Sequence, residues 1–397
     1  MKASVVLCDV PAAARVPGFR RDESLGTFPF WGHYHMLDFA LASVAAASDA
    51  AIVLTTDANR EAVQRLAKRH RHLDTTVVTL ESGTRSLAAA MKGRRPRSTL
   101  VASSACVALF DAKQVLGEFR RGRGTLARIK VERRALDAYV GATDACMDTL
   151  ESLLEEAGQE ESGPSLDALS RLFAKALPRT ATTEIVAAGK VLFAGSIRDL
   201  HGSHLWLVDN EHRPEGQLLA RLLTGAVEHG VVGSPGGSGA ISTGATVKNS
   251  LIGAGCQIDG VVEHSFVFPD CAVAAGSRVV NSVIMSGNRI GPGAEIVNAL
   301  VFPNSEREPA LRAPGPRDGA SIGQRARIGR EPSNIANADF PQQIKGLTVV
   351  GMNPSVPPGM LVESGCYIDA DVPASALAGN LKLASGTSVF ANGTGHP

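Results

Sequence analysis

The segment VKNSLI (247–252) is the first of four related stretches that decide the fold of the second half of the chain. The pattern returns in VEHSFV (262–267), VVNSVI (279–284) and IVNALV (296–301), and the starts are spaced by 15, 17 and 17 residues. The aliphatic positions six residues apart are Ile252 and Ile258; Val267, Val273 and Val279; Ile284, Ile290 and Ile296; Ile322 and Ile328; and Val350, Val356, Val362 and Ile368. A period of six with small residues between is typical of hexapeptide repeats, in which three short strands form one triangular coil.

This register predicts a left-handed parallel β-helix over residues 241–390, with its coils between about 242 and 385. A β-sandwich would instead require a period of two and a turn every 8–12 residues. The inserted stretches 303–320 and 330–346 interrupt the register, so we expect loops between coils there, where an interface or effector site could lie. The residues expected to point inward are Ile258, Val273, Ile290, Val356 and Ile368.

Upstream of the repeats, short apolar runs alternate with helical patterns. AAIVLTT (50–56) precedes NREAVQRLAKRH (59–70), and TTVVTL (75–80) precedes GTRSLAAAMK (83–92). This alternation indicates βαβ crossovers and a mostly parallel, Rossmann-like sheet covered on both faces. The sequence therefore predicts an α/β domain over residues 1–232, and the glycine- and proline-rich stretch GSPGGSGA (233–240) marks the boundary.

The composition narrows the class of function. Hydrophobic residues make up 44% and charged residues 20%, which is typical of a globular protein. Lysine plus arginine number 40 against 39 aspartate plus glutamate, so a general affinity for nucleic acid or anionic membranes has no support. We expect neither partner. The N-terminus lacks a signal-peptide layout, and the six cysteines contain no C-x-x-C pair, which favours reduced thiols in a cytoplasmic protein.

Three stretches of the α/β half carry a resemblance to a known family. FPFWGHYHMLDFALAS (28–43) resembles the P-F-G-G-x-Y-R-x-I-D-F stretch of bacterial glucose-1-phosphate adenylyltransferase, also called ADP-glucose pyrophosphorylase. SGT (82–84) is similar to that family's G-T-A-x-A segment near the adenine, and SIRDLHGSHLWLVD (196–209) to G-T-I-x-S-Y-x-A-N-M-D. The resemblance implies an α/β nucleotidyltransferase-like domain followed by a left-handed β-helix. It also implies ADP-glucose synthesis from ATP and glucose 1-phosphate, for glycogen, with magnesium.

The departures from the family fall on the residues that do its chemistry. The glycine-rich phosphate loop aligns with DVPAAARV (9–16), which has no glycine, and only Arg15 matches the loop's arginine. The lysine before P-F-G-G falls at Leu25. The two aspartates that bind metal in the family fall at Ala105 and Phe193. Adenylyl transfer joins two anions and needs such donors, cations and carboxylates, so losing them together predicts an inactive chain.

A further loss concerns the sugar phosphate. The F-x-E-K-P segment that supplies its lysine is missing, because RIKV (128–131) leads almost directly to LDAYVGATDACM (136–147). We therefore predict no catalytic residues and no metal or other cofactor, with Arg15, Gly83 and Thr84 as vestiges of the nucleotide site. The family includes non-catalytic subunits that assemble with an active sister subunit and tune its regulation, and this chain resembles those.

Two alternatives stay open. In the first, the chain is an active nucleotidyltransferase that retains magnesium and in which Asp9 or Asp111 replaces a lost metal ligand. In the second, it is a free-standing metabolite-binding module. On the main hypothesis the expected partner is an active adenylyltransferase subunit or a second copy, bound through the β-helix. An anionic effector is a further candidate partner of the arginine clusters RLAKRHRH (65–72), GRRPRS (93–98) and FRRGRG (119–124), which are otherwise expected to be solvated.

Two single residues, His264 and Cys106, are candidates for catalysis. His264 takes the place of an asparagine in its repeat, which favours a structural position over the catalytic histidine of hexapeptide acyltransferases. Cys106, beside the lost aspartate, has no nearby base in the sequence pattern, which favours core filling over a nucleophile.

Overall fold

A computed structural model describes residues 4–9, 16–19, 24–32, 34–45, 48–91, 97–104, 107–122, 124–132, 134–158, 183–193, 196–214, 216–217, 239–304, 321–329, 334–379 and 381–391. The strands described in the N-terminal half are β1 (Ser4–Cys8), β2 (Pro29–Trp31), β3 (Tyr34–His35), β4 (Ala50–Thr55), β5 (Asp74–Thr79), β6 (Ser98–Ser103), β7 (Val107–Phe110), β8 (Leu126–Val131), β9 (Arg134–Ala142), β10 (Thr183–Ala187) and β11 (Gly189–Phe193). The helices are α1 (Met36–Ala45), α2 (Asp57–Ala67), α3 (Gly83–Met91), α4 (Ala112–Arg121), α5 (Thr143–Gly158) and α6 (Ile197–Asn210), with 3₁₀ turns at Leu25–Thr27 and Leu80–Ser82.

Within the described residues, the main sheet has the order β10-β8-β9-β6-β1-β4-β5. Its pairs are parallel except those of β9, which runs antiparallel to both β6 and β8. Side chains alternate across the sheet: Val5 and Leu7 pack towards α1, α2 and α4, whereas Val6 and Cys8 pack towards α3 and α5. The sheet is thus covered on both faces, which explains its almost continuous apolar strands.

The C-terminal half forms the predicted prism. Its described strands are β12 (Ala240–Ile241), β13 (Thr246–Lys248), β14 (Leu251–Ile252), β15 (Gln257–Ile258), β16 (Val261–Glu263), β17 (Phe266–Val267), β18 (Ala272–Val273), β19 (Arg278–Val280), β20 (Val283–Ile284), β21 (Arg289–Ile290), β22 (Glu295–Val297), β23 (Ala299–Val301), β24 (Arg327–Ile328), β25 (Thr348–Val350), β26 (Leu361–Val362), β27 (Tyr367–Ile368), β28 (Lys382–Leu383) and β29 (Ser388–Val389). A short helix, α7 (Ala374–Leu377), lies near the end.

These strands form three parallel sheets, one for each side of the prism. The first face is β12-β15-β18-β21, the second is β13-β16-β19-β22-β24-β26-β28, and the third is β14-β17-β20-β23-β25-β27-β29. The inward rows are buried in one core, including Ile258, Val273, Ile290, Val356 and Ile368. The predicted fold class is therefore confirmed: a mostly parallel α/β domain is followed by a hexapeptide-repeat prism consistent with a left-handed β-helix.

The third face packs against the α/β half. Its outward row contributes apolar side chains to a core shared with that half: Phe266, Val283, Leu300, Val349 and Tyr367. The ring of Phe19 lies 4.8 Å from that of Phe302, and Met352 N donates to Gly18 O at 3.0 Å. The residues that follow the glycine-free loop are thus fixed against the β-helix.

The two predicted insertions lie partly or largely outside the described residues. Residues 305–320 and 330–333 are outside them, but 334–346 folds back on the last coils. There the Asn337 amide donates to the carbonyls of Gly365 and Gly386, at 3.0 and 3.2 Å, and Ile344 is fully buried. Residues 233–238 of the predicted boundary also lie outside, so the limits 1–232 and 241–390 stay predictions. Across the described residues, no helix is long and apolar enough to cross a membrane.

Candidate functional site: the crevice at the sheet reversal

The order of the main sheet places a reversal between β1 and β6. From β1 the chain passes to β4 and β5 on one side, and then to β6 on the other. In open α/β sheets, ligands bind in the crevice beyond the carboxyl ends of the strands at such a reversal. Asp9 directly follows β1 and Ser104 directly follows β6, so these two residues mark the expected binding crevice.

The carboxylate of Asp9 is bound by hydroxyl groups from three separate parts of the chain. Ser24 Oγ and Ser104 Oγ donate to Oδ1 at 2.7 and 2.8 Å, and Thr55 Oγ1 donates to Oδ2 at 2.8 Å. Asp9, Thr55 and Ser104 have no exposed surface, and Ser24 has 2%. Hydrogen-bonding offsets the cost of burying a carboxylate, so this network holds the ends of β1, β4 and β6 together. We call these four residues the crevice network.

A turn of the chain lies directly on the crevice network. Ser24 caps the 3₁₀ turn Leu25–Thr27 by accepting from Thr27 N at 3.3 Å. A Cβ atom placed on Gly26 would come within 2.8 Å of Ser104 Oγ and 2.9 Å of Asp9 Oδ1, so only glycine permits this approach. In the described part of the crevice, this turn lies against the network, and the hydroxyl hydrogens of Ser24, Thr55 and Ser104 are used on the Asp9 carboxylate.

The structure places the predicted site residues as follows. Arg15 and Ala105 lie outside the described residues, as does Cys106. Phe193 ends β11 and Thr84 lies in the first turn of α3, both described in their backbone alone. Gly83 begins α3 with a left-handed φ of 68°, and a Cβ there would contact nothing within 4 Å. The vestigial nucleotide-binding role of Arg15, Gly83 and Thr84 stays a prediction.

The residues present do not fit a divalent metal ion. Alanine and phenylalanine, at positions 105 and 193, offer no side-chain ligand. Asp9 belongs to the crevice network, and Asp111 caps α4 by accepting from Lys113 N and Gln114 N at 2.9 and 3.0 Å. In the described parts of the chain, no cluster of three or more histidine, cysteine, aspartate or glutamate side chains could hold a metal. We therefore derive no chemical step through magnesium.

A second buried carboxylate, Asp38, lies in the quoted stretch 28–43. It accepts from His70 Nε2 at 2.9 Å, from Arg69 at 3.1 Å and from His35 N at 2.8 Å, and it has no exposed surface. Burial alone would raise the pKa of Asp38. Hydrogen bonds from His35 and His70 and the charge of Arg69 outweigh burial and hold that pKa well below its usual value.

This arrangement corrects part of one expectation. The basic residues of the cluster at 65–72 are expected to be solvated, and four of them are exposed, but Arg69 and His70 turn inwards and bind Asp38. Arg69 is only 14% exposed and also lies over the Tyr34 ring, at 5.9 Å from its centroid. The signal available in the sequence was Asp38 itself, an acidic residue at the start of an otherwise apolar helix.

Comparison with known proteins first defines the class of the second half. A family described as "GlmU-like, C-terminal hexapeptide" matches residues 239–309. Parts of the chain resemble, more particularly, glucose-1-phosphate adenylyltransferases, as the motifs predicted. The relative from Acetivibrio thermocellus is 27% identical over 154 residues, covering 37% of this chain and 31% of the relative.

Two Bacillus relatives of the same name match shorter stretches. The protein from Bacillus cytotoxicus is 46% identical over 63 residues, covering 16% of this chain and 17% of the relative. That from Bacillus thuringiensis is 44% identical over 61 residues, covering 15% and 16%. The matched part thus spans about a third of the first relative's length and about a sixth of the other two.

Proposed function

We propose that the protein is a non-catalytic homologue of glucose-1-phosphate adenylyltransferase, acting as a regulatory or scaffolding subunit in cytoplasmic glycogen synthesis. The observation that carries this proposal is the crevice network: Asp9 and Ser104 bond to each other at the sheet reversal where a nucleotide would enter. The hydroxyl groups of Ser24, Thr55 and Ser104 donate there to a buried carboxylate of the chain itself, which supports a crevice that binds no triphosphate.

Electrostatic stabilisation of the transition state sets the scale of the loss in rate. Removing one well-placed group that stabilises a transition state commonly lowers the rate on the order of a hundredfold or more. This chain has alanine and phenylalanine at both metal positions, and no glycine between residues 9 and 16. Because such groups act together, their combined loss leaves no route to neutralise the reacting phosphates.

The parts needed for assembly are retained. The β-helix keeps its aliphatic register, and the third face packs on the segment after the lost phosphate loop. In a subunit without catalytic activity, this packing couples the α/β half to the β-helix. A conformational change in one half can therefore be transmitted to a partner that binds the other half. The proposed partner is an active adenylyltransferase subunit or a second copy.

The test is an assay of the purified protein with ATP, glucose 1-phosphate and magnesium, and of the reverse reaction with ADP-glucose and pyrophosphate. An active glucose-1-phosphate adenylyltransferase serves as the positive control. We expect no turnover above a mock purification in either direction. Turnover that follows the protein through purification and disappears in Asp111→Asn would establish the active alternative with rearranged ligands.

Calorimetry with ATP and with ADP-glucose separates the remaining alternative. The proposal predicts no heat of binding for either compound at millimolar concentration. Specific binding without turnover, by a protein that alters no adenylyltransferase, would instead support a free-standing metabolite-binding module.

A further inference from the structure

Four residues stack at equivalent corners of successive coils. Asn249, His264, Asn281 and Asn298 have φ values of 41°, 43°, 47° and 53°, in the left-handed region that asparagine tolerates better than most residues. We call this column the corner ladder. His264 is its one histidine and occupies the predicted structural position.

The direction of the hydrogen bonds along the corner ladder is fixed at one end. Asn298 Nδ2 lies 2.6 Å from Gly346 O, a backbone carbonyl that can only accept. Asn298 must therefore present Oδ1 to Asn281, whose Nδ2 donates to it at 2.9 Å. Asn281 in turn presents Oδ1 to His264 Nδ1, at 3.0 Å, so Nδ1 must carry a proton.

The other ring nitrogen of His264 faces the α/β half. Its Nε2 lies 3.1 Å from Oδ1 of Asp209, near the end of α6. The same oxygen accepts from Asn249 Nδ2 at 3.2 Å, which marks it as a carboxylate acceptor. A ring with an acceptor at each nitrogen is satisfied only when both nitrogens are protonated.

We propose that His264 is an imidazolium and acts as a proton-dependent latch between the β-helix and α6. When the proton leaves, one nitrogen lone pair faces an acceptor oxygen, and one of the two bonds is lost. Histidine is the side chain whose charge ordinarily changes between pH 5 and 8. At 38% exposure, His264 can exchange protons with water. This inference does not depend on the proposed function.

The charged and titratable groups near the His264 ring lie on α6 and on the coils of the β-helix. On α6, His201 Nε2 donates to Asn281 O at 3.1 Å, and burial lowers the pKa of His201 to about 4, so it is neutral beside the latch. On the coils, Glu263 pairs with Lys248 and Arg278 on the second face. Asp209 is thus the charged group that contacts the His264 ring within the described residues.

The experiment measures the ring ¹⁵N shifts of histidine-labelled protein between pH 5 and 9. His264→Asn assigns the His264 signals by their loss. We expect both His264 nitrogens to give the shifts of protonated nitrogens at pH 6, because each faces an acceptor oxygen. In Asp209→Asn, the ring should lose its proton at lower pH than in the native protein.

Two variants keep the test independent of folding. His264→Asn places in the ladder the residue that three neighbouring corners already carry, and Asp209 is 46% exposed. In His264→Asn, the melting temperature should change less between pH 6 and 8 than in the native protein. The proposal is overturned if either ring nitrogen of His264 is unprotonated at pH 6 in the native protein, or if Asp209→Asn leaves the protonation of the ring unchanged.

Discussion

Ser104 Oγ donates to Asp9 Oδ1 across 2.8 Å, joining residues 95 positions apart at the ends of the two strands between which the sheet reverses. In a nucleotide-binding domain this gap is open to the ligand. Here the bond is fully buried and joins the ends of β1 and β6, so we expect it to contribute to stability.

The crevice network can be tested by Asp9→Asn. Asparagine keeps the shape of the side chain but places an NH₂ donor against hydroxyl groups that are themselves donors in the native protein. We therefore expect a loss of about 1–3 kcal/mol in the free energy of unfolding. Urea denaturation measures it. The control is Asp111→Asn, an exposed cap at which asparagine is as good as aspartate, so its stability should hardly change. Equal effects of the two substitutions would contradict a structural role for Asp9.

The β-helix register predicts a large loss of stability at one residue and almost none at its neighbour. Ile258 is fully buried in the prism, whereas its neighbour Gln257 is exposed. Ile258→Asp buries an unpaired carboxylate and should cost several kcal/mol, while Gln257→Asp should change little. Thermal melts of both variants measure the difference. Similar melting temperatures for the two would be incompatible with the inward row.

Acid should destabilise the protein through Asp38. The pKa of Asp38 is lowered in the folded state. The stabilisation is therefore complete above the pKa of aspartate in the unfolded chain, about 4, and is lost as the pH falls through the folded-state pKa. Asp38→Asn leaves Arg69 and His70 buried without their carboxylate, which should cost about 3 kcal/mol or more at pH 7. Unfolding measured from pH 2 to 7 should show a shallower acid decline in the variant. An unchanged slope would mean that another group controls it.

The interface between the two halves can be measured by a double-mutant cycle on Phe19 and Phe302. Their rings meet edge to face, at 83°, and both are buried. Each change to alanine should cost about 3–5 kcal/mol. A coupling of about 0.5–1.5 kcal/mol is expected for the ring contact. Strictly additive losses would show that the two rings stabilise the protein independently.

Sequence alone predicted what local periodicity encodes. The spacing of six identified the inward rows of the β-helix, and the asparagine pattern favoured a structural position for His264, which the structure places at a corner. It did not predict the crevice network, because Ser24, Thr55 and Ser104 lie 15, 46 and 95 residues from Asp9. Serine and threonine are so common that no pattern distinguishes these three until the fold brings them together. The inward turn of Arg69 was missed for the same reason.

The last prediction concerns assembly. The large apolar side chains that are most exposed among the described residues lie at strand or coil ends: Val186 on the edge strand β10, at 61%, Ile241 in the first coil, at 58%, and Leu381 beside β28, at 67%. Edge strands and coil ends present unpaired backbone groups, and proteins usually cover them. We expect light scattering to show at least a dimer. Val186→Lys or Leu381→Lys, whichever lies in the interface, should lower the measured mass of the assembly.

The proposed function further requires that an active adenylyltransferase subunit respond to this protein. Co-expression should yield a mixed assembly whose effector activation curve or apparent substrate affinity differs from that of the active subunit alone. A regulatory partner must bind the two conformational states of the active subunit with different affinities. The lysine substitution that lowers the mass should abolish that difference, whereas Gln257→Asp, on the first face, serves as the control. A monomer whose addition leaves both mass and kinetics as the sum of separate proteins would remove support for a regulatory subunit, because such a subunit acts only through a partner that it binds.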